Sequence, residues 1–100
     1  MAAGPAMKWY SAYTVTAGRQ INLLYFAALR ERMGKASELV ELPADVTDVR
    51  GLAAFLELTR PALRGVLGSV RFAVGDEFAS ADRRLEPGDI VALIPPVSGG

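Results

Sequence analysis

The sequence predicts one small α+β domain, in which a single main helix packs on one face of a sheet. Its 100 residues suffice for one domain with one core. Short runs rich in apolar and β-branched residues occur at both ends of residues 21–94, and one long segment of helical periodicity lies between them. Since one helix covers only one face, this order of elements is typical of an α+β fold with an exposed sheet face.

In the first half of the domain, the sequence predicts a strand, a short helix and a second strand. Residues 21–26 (INLLYF) form the first strand, and residues 27–33 are good helix formers with Leu29 and Met33 on one side. Gly34 fits the left-handed position that closes a helix. The second strand, residues 37–42, stops before Pro43.

The main helix is predicted from Thr47 as N-cap to about Thr59. Asp48 stands in its first turn, where the helix dipole favours negative charge. Its buried side repeats at helical spacing: Val49, Leu52, Ala53 and Leu56. Gly51 requires either a close approach to the sheet or simple tolerance of its cost.

In the second half of the domain, the sequence predicts three more strands. Residues 61–68 form a looser turn bounded by proline and glycine, and residues 69–74 alternate, with Val70, Phe72 and Val74 on one face. Residues 78–80 are at most a very short strand. The turn at Pro87 and Gly88 leads into the last strand, residues 89–94.

Residues 1–20 differ in composition from the rest and are predicted to be an N-terminal extension. Residues 1–6 read as disordered. Residues 8–15 (KWYSAYTV) are rich in β-formers, so they are either an extra edge strand or a flexible segment. The sequence contains no internal repeats and no low-complexity linker, so it does not predict a second domain.

Composition excludes several function classes. Eleven basic residues balance eleven acidic ones, so no net positive field favours nucleic acid. The sequence has no cysteine and no histidine, which removes thiolate and imidazole metal sites and nucleophiles that depend on them. Without a long apolar run or a secretory signal, a cytoplasmic protein with no membrane contact and no metal is expected.

Two predicted strands are apolar on both faces, which leaves one set of side chains without cover. In the first strand Leu24 and Phe26 oppose Ile21, Leu23 and Tyr25, and in the last Ile90, Ala92 and Ile94 oppose Val91 and Leu93. Strands buried on one side alternate with polar residues, and these do not. The second set is covered by a partner protein, or by the extension with Trp9, Tyr10 and Tyr13, or consists of scattered exposed residues.

Residues 95–100 (PPVSGG), here called the arm, follow the last strand. Pro95 and Pro96 lack ladder N–H groups and favour an extended path, over which the six residues reach roughly 20 Å. Gly99 and Gly100 have no Cβ and fit a narrow channel. The arm is therefore interpreted as a carrier of chemistry on its end, the alternative being a terminus without function.

Two motifs resemble the MoaD-type small subunit of molybdopterin synthase, a sulfur carrier. They are residues 25–34 (YFAALRERMG) and the ending 94–100 (IPPVSGG), and the resemblance runs from about residue 21 to residue 100. It implies a ubiquitin-like β-grasp fold with a mixed sheet for the domain 21–100. The thiamin-pathway carriers share the Gly-Gly end and rank second.

The resemblance also implies a mechanism. An E1-like enzyme uses ATP to adenylate Gly100, and a sulfur donor then converts this terminus to a thiocarboxylate. The MoaE-type large subunit binds the cyclic pyranopterin precursor and supplies the catalysis, so this chain is no enzyme on its own and holds no cofactor. The matching partner-binding positions are Phe26, Arg30, Glu31, Ile94, Pro95, Pro96, Val97 and Ser98, with Gly99 and Gly100 as the carrier.

Three readings of the residues stay open at this point. Arg30 and Glu31 fit a solvated helix-face pair as well as a binding role. A ubiquitin-like adaptor would dock by its sheet without activating its terminus. A conjugated modifier would instead join Gly100 to a lysine.

Overall fold

The computed structural model describes residues 19–96, and the statements below concern that part of the chain. Five strands and two α-helices are present, with two 3₁₀ turns at Pro61–Leu63 and Leu67–Ser69. In chain order the elements are β1 Gln20–Tyr25, α1 Ala28–Met33, β2 Ser37–Glu41, α2 Val49–Thr59, β3 Arg71–Val74, β4 Glu77–Phe78 and β5 Ile90–Ile94. Each helix and strand predicted between residues 21 and 94 is present, with ends that differ by one or two residues.

The five strands form one mixed sheet in the order β2-β1-β5-β3-β4. The two central strands, β1 and β5, run parallel, with Tyr25 opposite Leu93. The pairs β1–β2, β3–β5 and β3–β4 are antiparallel. This is the predicted β-grasp arrangement, in which the last strand of the domain is inserted beside the first.

The core lies between the sheet and α2. Alternate residues of β1 and β5 point toward it, and Leu23, Val91 and Leu93 are fully buried there. Leu52 and Leu56 of α2, also fully buried, cover them from the helix side. Burying a leucine contributes about 1.5–3 kcal/mol, so these residues hold helix and sheet together.

The N-terminus of α2 differs from the prediction. The N-cap is Asp48 rather than Thr47, and its Oδ1 accepts a hydrogen bond from the Gly51 N–H at 2.8 Å. The backbone of Thr47 is engaged elsewhere, because its carbonyl accepts from the Leu85 N–H at 3.0 Å. Thr47 thus belongs to the loop that pairs with residues 83–85, and the helix starts one residue later.

Residues 1–18 and 97–100 lie outside the described residues, so the predictions for the extension and for the end of the arm stay predictions. Within residues 19–96 no helix is long and apolar enough to cross a membrane.

Candidate functional site

The face of the sheet that turns away from α2 is apolar and uncovered by the described residues. A row of side chains crosses it where the strands pair: Leu24 of β1 opposite Ala92 of β5, Ala92 opposite Ala73 of β3, and Ala73 opposite Phe78 of β4. We call this surface the open face; it consists of Leu24, Phe26, Ala73, Phe78, Ile90, Ala92 and Ile94.

The open face is concave. Its residues, with Gly75 and Asp76 at one edge, line a shallow hollow of about 470 Å³. The small side chains of Ala73 and Ala92 form the floor, and larger residues stand around it with much of their surface exposed: Phe26 45%, Ile90 47% and Phe78 58%. Exposed large apolar residues grouped in this way usually mark a protein contact.

The parallel pairing of β1 and β5 brings the root of the arm to the rim of the open face. Parallel strands end on the same side of a sheet, so Phe26, which follows β1, lies beside Ile94, the last residue of β5. The Phe26 N–H donates to the Leu93 carbonyl at 3.3 Å and holds this junction together. Two predicted site residues, Phe26 and Ile94, are therefore brought together by the fold.

A second, smaller hollow of about 320 Å³ lies at the root of the arm on the other side of the sheet's end. Pro95 and Pro96 form one wall, and Ala28, Leu29 and Arg32 of α1 form another; Val66, Ser69 and Val70 complete it. The Arg32 Nε donates to the Ala62 carbonyl at 2.6 Å, which fixes α1 against the 3₁₀ segment. The two prolines thus leave the sheet with α1 on one side and the open face on the other.

The other predicted site residues are not brought into either hollow. Arg30 and Glu31 are exposed on α1 and line neither hollow, so both of their predicted roles, a solvated pair and a partner contact, stay predictions. Val97, Ser98, Gly99 and Gly100 lie outside the described residues.

Behind the site, a polar cluster joins β1, β2 and the end of α2. The Tyr25 hydroxyl donates to the Glu38 carboxylate, and Arg60 donates to both Glu38 oxygens at 3.1 and 3.2 Å. Burial, and then the hydrogen bond to Glu38, raise the pKa of Tyr25 above its ordinary value. Burial alone would raise the pKa of Glu38, but the hydrogen bonds from Arg60 and Tyr25 outweigh it and lower that pKa.

Sequence reasoning missed Ala73 and Phe78 of the open face, and Arg71 at its edge. The Arg71 guanidinium lies 3.7 Å from the centre of the Phe78 ring, a cation–π contact at the outer edge of the sheet. The alternation of β3 put Arg71 on the face opposite Phe72, which was a usable signal. Phe78 gave none, because a two-residue strand is too short for a periodic pattern.

Comparison with known proteins gives a consistent result. The sequence pattern of the ThiS family matches residues 23–100. The molybdopterin synthase sulfur carrier subunit of Homo sapiens is 36% identical over 84 residues, which cover 81% of this chain and 94% of that protein.

Two solved structures have the same fold. The putative molybdopterin converting factor, subunit 1, from Pyrococcus furiosus superposes with a TM-score of 0.70 at 28% identity, covering 79% of this chain and 99% of that one. The small archaeal modifier protein 1 of Haloferax volcanii superposes with a TM-score of 0.69 at 26% identity, covering 80% and 100%.

Proposed function

The chain belongs to the ThiS family, and from this membership we propose that it is a sulfur carrier of molybdopterin synthesis. The observation that carries the proposal is the position of the arm: Phe26 and Ile94 put its root on the rim of an apolar, concave sheet face. A partner that docks on the open face receives the arm at a fixed place. The relatives named as molybdopterin synthase subunits favour this pathway over thiamin synthesis.

The reacting group in this proposal is the main-chain carboxyl of Gly100. At neutral pH a free α-carboxylate, with a pKa of about 3.5, is an anion and a poor electrophile. An E1-like enzyme therefore activates it: a carboxylate oxygen attacks the α-phosphate of ATP, pyrophosphate leaves, and an acyl-adenylate forms. Sulfide, as HS⁻, then attacks the carbonyl carbon and expels AMP, and loss of the S–H proton leaves a thiocarboxylate.

This chain supplies positioning rather than catalysis. It has no cysteine, so a transferable sulfur has to be acquired from a donor. Pro95 and Pro96 reduce the entropy lost when the arm enters a channel, and Gly99 and Gly100 present no Cβ to the channel wall. The proposed acceptor is a precursor bound by a MoaE-type large subunit that docks on the open face. Because adenylation consumes ATP, the proposed place of action is the cytoplasm.

Mass spectrometry of the intact chain tests the proposal. Incubation with ATP, a sulfide source and an E1-like activating enzyme is expected to replace one oxygen by sulfur at the C-terminus. The matched control lacks Gly99 and Gly100; it is expected to fold normally by circular dichroism and to gain no sulfur. An intact chain that never exchanges oxygen for sulfur would refute the carrier function.

A second function, that of a conjugated modifier, is favoured by one observation: a similar solved structure is a small archaeal modifier protein. The activated carbonyl is the same in both cases, and only the nucleophile differs, a lysine amine instead of sulfide. The same incubation in the presence of acceptor proteins separates the two functions. An isopeptide adduct at a lysine favours the modifier, and a thiocarboxylate without adducts favours the carrier.

A further inference from the structure

Arg71, the first residue of β3, lies on the same side of the sheet as the open face. In the antiparallel pairing of β3 with β5, Arg71 is directly opposite Ile94, and side chains that are opposite each other point to the same face. Phe78 of β4 points there too, since it is opposite Ala73, two residues further along β3. Because β3 lies between β5 and β4, Arg71 is located between the root of the arm and Phe78.

The guanidinium of Arg71 is held in place by Phe78. It lies 3.7 Å from the centre of the Phe78 ring, within the range of cation–π attraction, and Arg71 remains exposed to solvent. The ring has no oxygen or nitrogen acceptor, so the N–H donors of the guanidinium stay available to an oxygen acceptor. A long side chain that is already ordered loses less entropy when it binds, which suits Arg71 to a binding role.

Arg71 has no acidic partner in the part of the chain that the structure describes. Within residues 19–96 the two ion pairs shorter than 4.0 Å both involve Glu38. Arg71 also borders a hollow of about 410 Å³, and the other charged residue that lines this hollow is Arg50, a second cation. Asp76, at the edge of the open face, follows the far end of β3. The end of the open face next to the arm therefore carries an unpaired positive charge.

Docking on the open face removes water from this cation. A partner that covers both Ile94 and Phe78 also covers Arg71, which is located between them. A charge that loses its water without gaining a partner is strongly destabilising to the complex. A carboxylate compensates this loss best, because its two oxygens match the N–H pairs of a guanidinium and its charge is opposite. The docking protein is therefore expected to bring an acidic side chain to this place.

We propose that Arg71 binds an aspartate or glutamate side chain of the protein that docks on the open face. This inference rests on the proposed docking of a MoaE-type large subunit and adds a charged contact to an apolar surface. Asp76, at the other end of β3, repels the same carboxylate, so the reversed docking orientation is unfavourable. The ion pair lies beside Ile94, and it therefore aligns the root of the arm with the partner.

Titration calorimetry with a MoaE-type large subunit tests the role of Arg71. Arg71→Met keeps the apolar stem and removes the charge, and it is expected to weaken the affinity about 30-fold, which is typical when one partner of a buried ion pair is removed. Arg71→Glu is expected to weaken the affinity further. Arg84→Glu makes the same change of net charge in the loop that pairs with Asp48, outside the open face, and is the control that should keep the wild-type affinity.

Salt and charge reversal distinguish an ion pair from mere support of the Phe78 ring. The wild-type affinity is expected to fall as the ionic strength rises from about 0.1 M to about 1 M, and Arg71→Met should lose most of this dependence. The acidic surface residues of the large subunit are then replaced by lysine, one at a time. One of these variants is expected to bind Arg71→Glu more tightly than it binds the wild-type chain.

Each opposite result overturns the proposal. Unchanged affinity of Arg71→Met excludes the ion pair and leaves the carrier function standing, and weaker binding with unchanged salt dependence limits Arg71 to supporting Phe78. If no lysine variant rescues Arg71→Glu, the acceptor is not an acidic side chain. A large subunit that does not bind the wild-type chain refutes docking on the open face, and this inference with it. Circular dichroism checks the fold, and Arg71→Gln repeats the test if Arg71→Met unfolds.

Discussion

Ala27 is the residue with the most unusual backbone in the site. Its φ of 52° and ψ of −125° lie in a region that favours glycine, and within residues 19–96 it is the one non-glycine residue with positive φ. It links Phe26 on the open face to α1. The sequence could not reveal this, because alanine next to a helix predicts ordinary helical geometry.

Ala27→Gly is expected to stabilise the protein. Such backbone strain costs about 1–3 kcal/mol, whereas the greater freedom of glycine in the unfolded chain costs about 0.4–1 kcal/mol, so a net gain of about 1 kcal/mol follows. Urea unfolding measures it. Ala28→Gly, one residue later in α1, is the control and is expected to lose about 0.5–1 kcal/mol. Equal losses from both variants would show that Ala27 is unstrained.

The Glu38 carboxylate gives the protein a pH-dependent contribution to stability. Its pKa is lowered in the fold, so its contribution is complete above the unfolded pKa of about 4.3 and disappears as the pH falls through the folded value. Glu38→Gln is expected to cost about 1–3 kcal/mol at pH 7, because the partners Arg60 and Tyr25 lose their charged acceptor.

Urea midpoints at several pH values measure this contribution. The difference in free energy of unfolding between wild type and Glu38→Gln should shrink steadily below about pH 4. Glu41→Gln, at an exposed position of the same strand, is the control and should change the free energy of unfolding at pH 7 by about zero. A difference for Glu38→Gln that does not depend on pH would mean that its cause is packing and not charge.

At the scale of elements, the N-cap of α2 shows what the sequence settles and what it leaves to the fold. Thr47 and Asp48 are both good capping residues, and the choice is made by distant contacts: Leu85 binds the Thr47 carbonyl, and Arg84 pairs with Asp48 as a β-bridge. Gly51 follows from this choice. A Cβ there would meet the Asp48 Oδ1 at 3.3 Å, so the close approach is to the cap, whereas the sequence had left open a close approach to the sheet or simple tolerance of the glycine.

Asp48→Ala is therefore expected to lower the free energy of unfolding by about 1 kcal/mol, the usual value of an N-cap. Thr47→Ala should cost clearly less, since its backbone contact with Leu85 survives the substitution. Thermal or urea unfolding of both variants makes the comparison. A larger loss of unfolding free energy from Thr47→Ala than from Asp48→Ala would show that Thr47 is the N-cap, as the sequence alone predicted.

At the scale of the whole molecule, the sequence revealed the open face but not the exposed apolar residues of α2. The open face was predicted, because strands such as β5 have apolar residues at every position and one helix covers one side. The exposed Ala54 and Leu58 of α2 were not predicted, because helical periodicity identifies the buried side of a helix, here Leu52 and Leu56, and not the residues on its exposed side. The polar cluster of Tyr25, Glu38 and Arg60 joins residues far apart in sequence, which no local pattern reports.

One substitution on the open face and one on α2 separate docking of the partner from transfer of sulfur. Ile90→Asp puts a charge on the open face and is expected to weaken binding of a MoaE-type large subunit at least tenfold, because a buried unpaired charge costs more than the about 1.4 kcal/mol that a factor of ten requires. Leu58→Asp, on the opposite side of the molecule, is expected to leave the affinity unchanged. Isothermal titration calorimetry of both variants measures this.

Because Ile90 is 47% exposed, its substitution leaves the core intact, and the Gly100 carboxyl remains chemically the same. Ile90→Asp should therefore bind poorly to the large subunit yet keep its fold, whereas removal of Gly99 and Gly100 should keep docking on the open face and lose the transferable sulfur. If Leu58→Asp weakened binding and Ile90→Asp did not, the exposed side of α2 would be the docking surface, and the arm would have to reach its partner around the edge of the sheet.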